Sequence, residues 1–297
     1  MAYDSLAEIL RICKEEQKEF WQVVLTDDVL ERDTTEKESM EKMTSFWEAM
    51  CLARDSYDGS LCSSSGLSGG DGQKMQDFYS EQQVDSIGGS FLSKVIVTAL
   101  KMGESNACMK RIVAAPTAGA CGVLPAVLIP YEEEKQIEKE EIIKALYVAA
   151  GIGKVIASRA YISGASGGCQ AEIGSASAMA AGALAYLQGG DGEAITHAAA
   201  MSMKNLLGLV CDPVAGLVEI PCIKRNVIGA MSAISAADMA VAGIKSRIPP
   251  DQVMDAMKEI GDKMHDSLRE TAEGGLAMTG AGREISNRLS NSLSDFF

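Results

Sequence analysis

Eight cysteines and two histidines hold most of the nucleophilic and metal-binding capacity of this 297-residue chain. Three of the cysteines share a setting. Cys169 follows two glycines in SGASGGCQAEIG, Cys211 stands just ahead of Pro213 in LLGLVCDPVAG, and Cys222 follows Pro221 in EIPCIKRN. Each is expected at a helix–loop junction, where the backbone can bring a sulfur to a shared centre and free amides can donate to sulfides. A thiol among glycines, next to a lone Gln170 and Glu172, is not an ordinary core-filling cysteine. Three thiolates without a histidine suit an iron–sulfur cluster. Buried thiols, or a structural zinc short of its fourth ligand, fit the same pattern.

The remaining candidates are weaker. Cys13, Cys51 and Cys108 sit in helical patterns and read as buried small hydrophobes. Cys62 falls in a Gly/Ser loop. Cys121, ahead of an apolar helix, is placed where a helix N-terminus lowers a thiol pKa. His197 and His265 both lie in helical contexts and read as structural. So few imidazoles argue against a zinc hydrolase and against a self-contained Ser–His–Asp triad. GIGKVIAS has Val148 and Val155 where a phosphate-binding loop needs Gly and Ser or Thr, and GLSGGDGQK fails the same test. No CxxC pair occurs.

The elements that must position these residues read as helices. Apolar residues make up 47% of the chain and aromatics only 5%, while Gly (29) and Met (16) are frequent, which favours closely packed helices over a β-sandwich. The fold expected is predominantly all-α: a multi-helix buried bundle, one domain over 1–297, with glycine-rich loops gathered around a metal centre. Residues 1–55 form two or three amphipathic helices, with Leu6, Ile9, Leu10 and Cys13 on one face and a Thr cap opening TTEKESMEKM. Residues 56–75 form a Gly/Ser loop and 76–297 the core. Helices are expected near 83–103, 122–131, 138–161, 174–189, 192–208, 223–245 and 250–272.

The net charge of −14 repels polyanions, so no nucleic-acid partner is expected. The densest charge run, Glu132 to Glu141, reads as a solvated helix start. The N-terminus has no signal-peptide pattern, and no apolar run reaches the ~18 residues of a membrane span. A cytoplasmic location and free or metal-bound thiols are expected.

Three long motifs then carry a resemblance. GGCQAEIGSASAMAAGAL, GLVCDPVAGLVEIPCIKRN and RIVAAPTAGACGVLPAVL closely resemble the signatures of the iron–sulfur-dependent L-serine dehydratases (L-serine ammonia-lyases), in their α chain. The resemblance covers nearly all of the sequence, including GLSGGDGQK. It implies a [4Fe–4S] cluster on Cys169, Cys211 and Cys222, with one iron open to substrate, and no pyridoxal phosphate. The implied reaction is a carbon–oxygen lyase step, in which L-serine loses water and yields pyruvate and ammonia.

Substrate contacts are expected from Thr117 and Gly119 in APTAGA, and from Ser65, Ser68 and Gly69 in SGLSGG. Single-chain members carry a Ser-Ser-Ser-His-Thr motif on an extra domain. That motif is missing from this sequence, so the resemblance implies the α half of an α/β hetero-oligomer whose β subunit supplies the catalytic base. Two other readings stand beside it. One is a lyase of the same fold acting on L-cysteine or another β-substituted amino acid. The other is an electron-transfer or sensor protein, which requires a fourth ligand such as Cys121 or Cys62.

Overall fold

The computed structural model of the chain describes residues 3–81 and 86–294. It is 70% helical, with no strand among the described residues, as the all-α reading requires. Three helices come first: α1 (Leu6–Glu16), α2 (Phe20–Arg32) and α3 (Glu36–Asp55). The Ser5 side chain accepts the Glu8 amide to cap α1. Thr35 and Glu38 form a reciprocal capping box on α3. The apolar stripe of α1 buries Leu6 and Ile9, with Leu10 and Cys13 half-buried on the same core.

There follow α4 (Asp71–Glu81), α5 (Gly89–Ala107), α6 (Val123–Lys135), α7 (Lys139–Arg159), the single turn α8 (Gly164–Gly167), α9 (Ser175–Leu187), α10 (Gly192–Lys204), α11 (Cys222–Val241), α12 (Pro250–Lys263) and α13 (Gly280–Ser294). The helices expected near 122–131, 138–161, 174–189, 192–208 and 223–245 correspond to α6, α7, α9, α10 and α11, with shifted ends. The charge run at the α6–α7 junction is largely exposed.

Four expectations need correction. The helix expected at 83–103 begins at Gly89 in α5, and residues 83–85 of it lie outside the described residues. The loop expected over 56–75 ends at Gly70, because Asp71 opens α4. The first amides of α4 are taken by a distant carboxylate: Glu104 on α5, 2% exposed, accepts from Asp71 N–H (2.8 Å) and Gly72 N–H (3.1 Å). This cap is tertiary, so no local sequence signal marks it. The helix expected over 250–272 stops at Lys263, and the chain beyond it bends through Glu270 and Ala272 at φ +64° and +57°. Finally, α13 was not expected, since GAGREISNRLSNSLS is rich in weak helix formers.

Helix α9 lies at the centre, packed by α7, α10 and α11. Every residue from Ser175 to Ala185 is buried, which explains its small, apolar composition on all faces. Of its two serines, Ser177 is satisfied internally, its Oγ bonding Gly229 O and Ser202 Oγ, both at 2.6 Å, whereas the buried Ser175 hydroxyl has no hydrogen-bond partner among the described residues. At Gly182 the α7 face comes so close that a Cβ would stand 2.1 Å from Ile152 Cδ1. No described helix is long and apolar enough to cross a membrane. The bundle holds the start of α9 and the start of α11 in fixed relation, and two of the three singled-out cysteines stand there.

Candidate functional site

Cys169 immediately precedes a π turn, Gln170–Gly174, that leads into α9. Before it, Gly168 adopts φ +77° in a gap where a Cβ would lie 2.7 Å from Met264 Sδ. Cys222 is the first residue of α11, just after the cis Ile220–Pro221 bond. Cys211 differs from expectation. Helix α10 ends at Lys204, well short of Pro213, and Cys211 is extended. Its N–H donates to Leu268 O (2.8 Å) and its C=O accepts from Glu270 N–H (2.7 Å), forming a short parallel bridge with the 268–270 segment.

The three thiols are buried and close enough to act on one another electrostatically. Burial pushes Cys169 up to about 11, opposed by the neighbouring Arg225 guanidinium. Burial and the Cys169 sulfur push Cys222 up to about 12 and Cys211 higher still. Gly164 leaves a cradle among these groups: a Cβ there would lie 2.7 Å from Cys211 Sγ, 3.1 Å from Glu172 Oε2 and 3.2 Å from Glu270 Oε2. Burial, with Glu270 adding to it, raises the Glu172 carboxyl above the usual carboxylate range, and Thr117 works against that rise.

Such thiols stay protonated by themselves, and a metal group is what would remove their protons. Among the described residues no three His, Cys, Asp or Glu side chains stand close enough to hold a single metal ion. An all-sulfur donor set, open at the Gly164 cradle, suits a larger sulfur-bridged iron group better than a lone zinc.

Buried polar side chains fix this geometry. Arg225 reaches Cys169, donates to Val210 O (2.7 Å) and pairs with Asp212 (2.8 Å), both partners of that ion pair being nearly buried. Asp212 in turn accepts from Leu276 N–H at 2.8 Å, tying down the segment beyond α12. Gln170 accepts from Gly208 N–H (2.9 Å) and donates to Met257 O (3.0 Å). Asn226 donates to Gly119 O (2.8 Å) and Cys222 O (3.0 Å), and accepts from Gly122 N–H (2.9 Å). One amide thereby locks the APTAGA turn to the Cys222 helix.

That turn brings Thr117 and Gly119 to the centre. Gly119 faces Glu172, since a Cβ on it would be 3.5 Å from Oε2. The Thr117 hydroxyl is buried beside Glu172 without a well-formed hydrogen bond. The Gly/Ser loop approaches from the Cys222 side. Ser63 and Ser65 hydroxyls donate to the two oxygens of Glu219, at 2.7 and 2.8 Å, three residues before Cys222. Ser65 therefore has its proton committed. Ser68 carries a backbone bond from Ser63 N–H (2.8 Å), and Gly69, at φ +143°, fits where a Cβ would strike Leu61 O at 2.2 Å.

Other residues lie elsewhere. Cys121 is fully buried, and burial pushes it up to about 12, contrary to the lowering expected at a helix start. Its thiol points to Met102 O at 3.7 Å. Cys62 is exposed, and Cys13, Cys51 and Cys108 are half-buried and not core. His197 is helical on α10, as expected. His265 is not: it caps a single 3₁₀ turn at the surface, bonding Ser267. Glu172, Arg225, Asp212, Asn226, Glu219 and Glu270 were not singled out as site residues. Glu172 and Gln170 had one signal, their isolation among small residues next to Cys169.

Comparison with known proteins identifies the family. The chain is 42% identical over 287 residues to the probable L-serine dehydratase, alpha chain, of Bacillus subtilis, covering 97% of this chain and 95% of that one. It is 40% identical over 279 residues to the L-serine dehydratase, alpha chain, of Peptoniphilus asaccharolyticus, covering 94% and 95%. Against the L-serine dehydratase TdcG of Escherichia coli, 47% identity extends over 61% of this chain but only 40% of that protein. Residues 7–277 match the family described as serine dehydratase alpha chain, and the chain belongs to that family.

Proposed function

We propose that this chain is the alpha subunit of an L-serine dehydratase, converting L-serine to pyruvate and ammonia, with a [4Fe–4S] cluster held by Cys169, Cys211 and Cys222. The observation that carries the reading is that three buried thiols lie within electrostatic reach of one another, with Cys211 and Glu172 at the Gly164 cradle. When bound, such a cluster supplies Lewis acidity at an iron that no protein sulfur occupies.

The chain's own residues do the rest. The Thr117 hydroxyl and the Gly119 amide bind the substrate carboxylate at the start of α6. The 65–69 loop forms a wall of the same pocket, with Ser68 and Gly69 nearest the substrate and Ser65 held by Glu219. Arg225 opposes the effect of burial on Cys169 and would stabilise its thiolate once a cluster takes the proton's place. The base that takes the α-proton comes from a companion β chain, since neither histidine is among the groups acting electrostatically on the three thiols and the alpha-chain names of the relatives imply a second subunit.

An electron-carrier reading lacks support, because neither Cys62 nor Cys121 is among the groups acting on the three thiols. The deciding experiment is anaerobic co-purification with the companion chain, followed by iron and sulfide analysis and a serine-to-pyruvate assay. Cluster content with turnover of serine is the expected result. Turnover of L-cysteine but not L-serine redirects the substrate, and a fully ligated, redox-cycling cluster without turnover overturns the lyase.

A further inference from the structure

The segment from Lys110 to Ala115 connects α5 to the APTAGA turn and is unlike the rest of the fold. Residues 111–114 run without helix, turn or bend. Among the described residues, their backbone N–H and C=O groups pair with no other group of the chain. Unpaired backbone along a straight run is the feature by which an exposed strand edge captures another chain.

Beside it lies a groove of about 420 Å³, largely apolar, with Met43, Phe46 and Met50 of α3 on its far side. Phe46 is 38% exposed and Met109, at the head of the segment, 88%. The rim is basic although the chain carries a net charge of −14. Arg111 lines the groove, Lys42 stands over the Phe46 ring at 4.9 Å, and Lys110, next in the chain to Arg111 and exposed, faces the Asp58 side. None of these three cations has a carboxylate within ion-pair distance among the described residues.

We propose that residues 111–114 accept a β-strand from the companion subunit, whose apolar side chains enter the Met43–Phe46–Met50 groove and whose acidic residues pair with Lys42, Lys110 and Arg111. This rests on the two-subunit reading above and locates that contact. The strand lands at the doorstep of the site, since the segment runs straight into Pro116 and Thr117, so residues following it on the partner reach the Gly164 cradle. A second copy of this chain is a poor occupant, because it brings another 14 negative charges and the same basic rim.

The test is amide hydrogen exchange, resolved to single residues, on the cluster-loaded alpha chain with and without the companion chain. Arg111, Ile112, Val113 and Ala114 exchange freely alone and slow by about 100-fold or more in the complex. A complex that forms and turns over serine while these amides stay fast overturns the surface and leaves the function standing. Failure of the two chains to associate overturns the surface and the two-subunit reading together. As a second measurement, Lys110→Glu with Arg111→Glu weakens association about tenfold at low salt and less at high salt, with cluster content unchanged. Equal affinity for wild type and variant rejects the pairing, and protection that appears by self-association alone identifies a second copy as the occupant.

Discussion

Gly164 and Gly182 are both buried glycines into which a side chain cannot be fitted without contact, and they serve opposite ends. At Gly182 the obstructing atom is Ile152 Cδ1, and the close approach joins two apolar helices. At Gly164 the obstructing atoms are a sulfur and two carboxylate oxygens, none of which gains from meeting a methyl group. The first gap is filled by packing and serves stability. The second is bordered by Cys211 and Glu172, whose burial raises their pKa, which is a cost to the folded chain unless something neutralises them. A space that leaves titratable groups in an unfavourable state is where a ligand is expected to repay the cost.

The sharpest break in that contrast comes from the thiols. Cys169→Ala, Cys211→Ala and Cys222→Ala are each expected to abolish iron loading and serine turnover. Cys13→Ala and Cys51→Ala, half-buried at the edge of the core, cost about 1–3 kcal/mol and leave iron content intact. Full iron content in Cys211→Ala, measured anaerobically per folded chain, would sink the assignment.

Exchanging the glycines sharpens it further. Gly164→Ala is expected to lower turnover by about 100-fold or more, because the methyl group occupies the cradle, while the melting temperature moves little. Gly182→Ala is expected to behave the other way, losing about 1–3 kcal/mol from overpacking with the iron stoichiometry unchanged. Thermal melts and iron assays on the two variants decide it, and a large drop in melting temperature for both would erase the distinction.

The Gly/Ser loop gives a smaller effect. Glu219→Gln replaces a carboxylate that accepts two hydroxyl protons by an amide that accepts one. The loss of one hydrogen bond to a charged group predicts a rise in KM of about tenfold, with kcat and iron content nearly unchanged. Unchanged KM would detach the loop from the substrate pocket.

What the sequence revealed follows the same division. The helices of the core are legible because α9 and its neighbours carry composition suited to burial, and the three cysteines are legible because thiols beside Gly and Pro are unusual. The residues that hold the site are not legible in this way. Asn226, Arg225 and Asp212 act across 13 to 107 residues of separation, so no local spacing announces them. The same holds for α4, whose cap is a carboxylate on α5, and for Cys211, whose extended backbone depends on the returning 268–270 segment. Local chemistry marked the candidate ligand atoms, and only the assembled bundle shows what surrounds and aims them.

Cys121 provides the smallest test, and it separates burial from helix-end electrostatics. Both act on this thiol, which precedes α6 yet is fully enclosed, and burial prevails by pushing it up to about 12. A thiol with a folded pKa above its unfolded value binds its proton more tightly in the folded chain. Its contribution to stability is complete below the ordinary thiol value and is lost as pH rises towards 12. Stability of the metal-loaded protein should therefore fall above pH ~9, and this one group contributes about 1.4 kcal/mol per pH unit to the slope. Denaturant melts at pH 8, 9 and 10 should show that Cys121→Ala is less stable than wild type at pH 8, with the gap little changed at pH 9 and narrower by about 1 kcal/mol between pH 9 and 10. A gap that stays constant would mean that the α6 terminus offsets burial after all, and that the thiol titrates alike in the folded and unfolded chain.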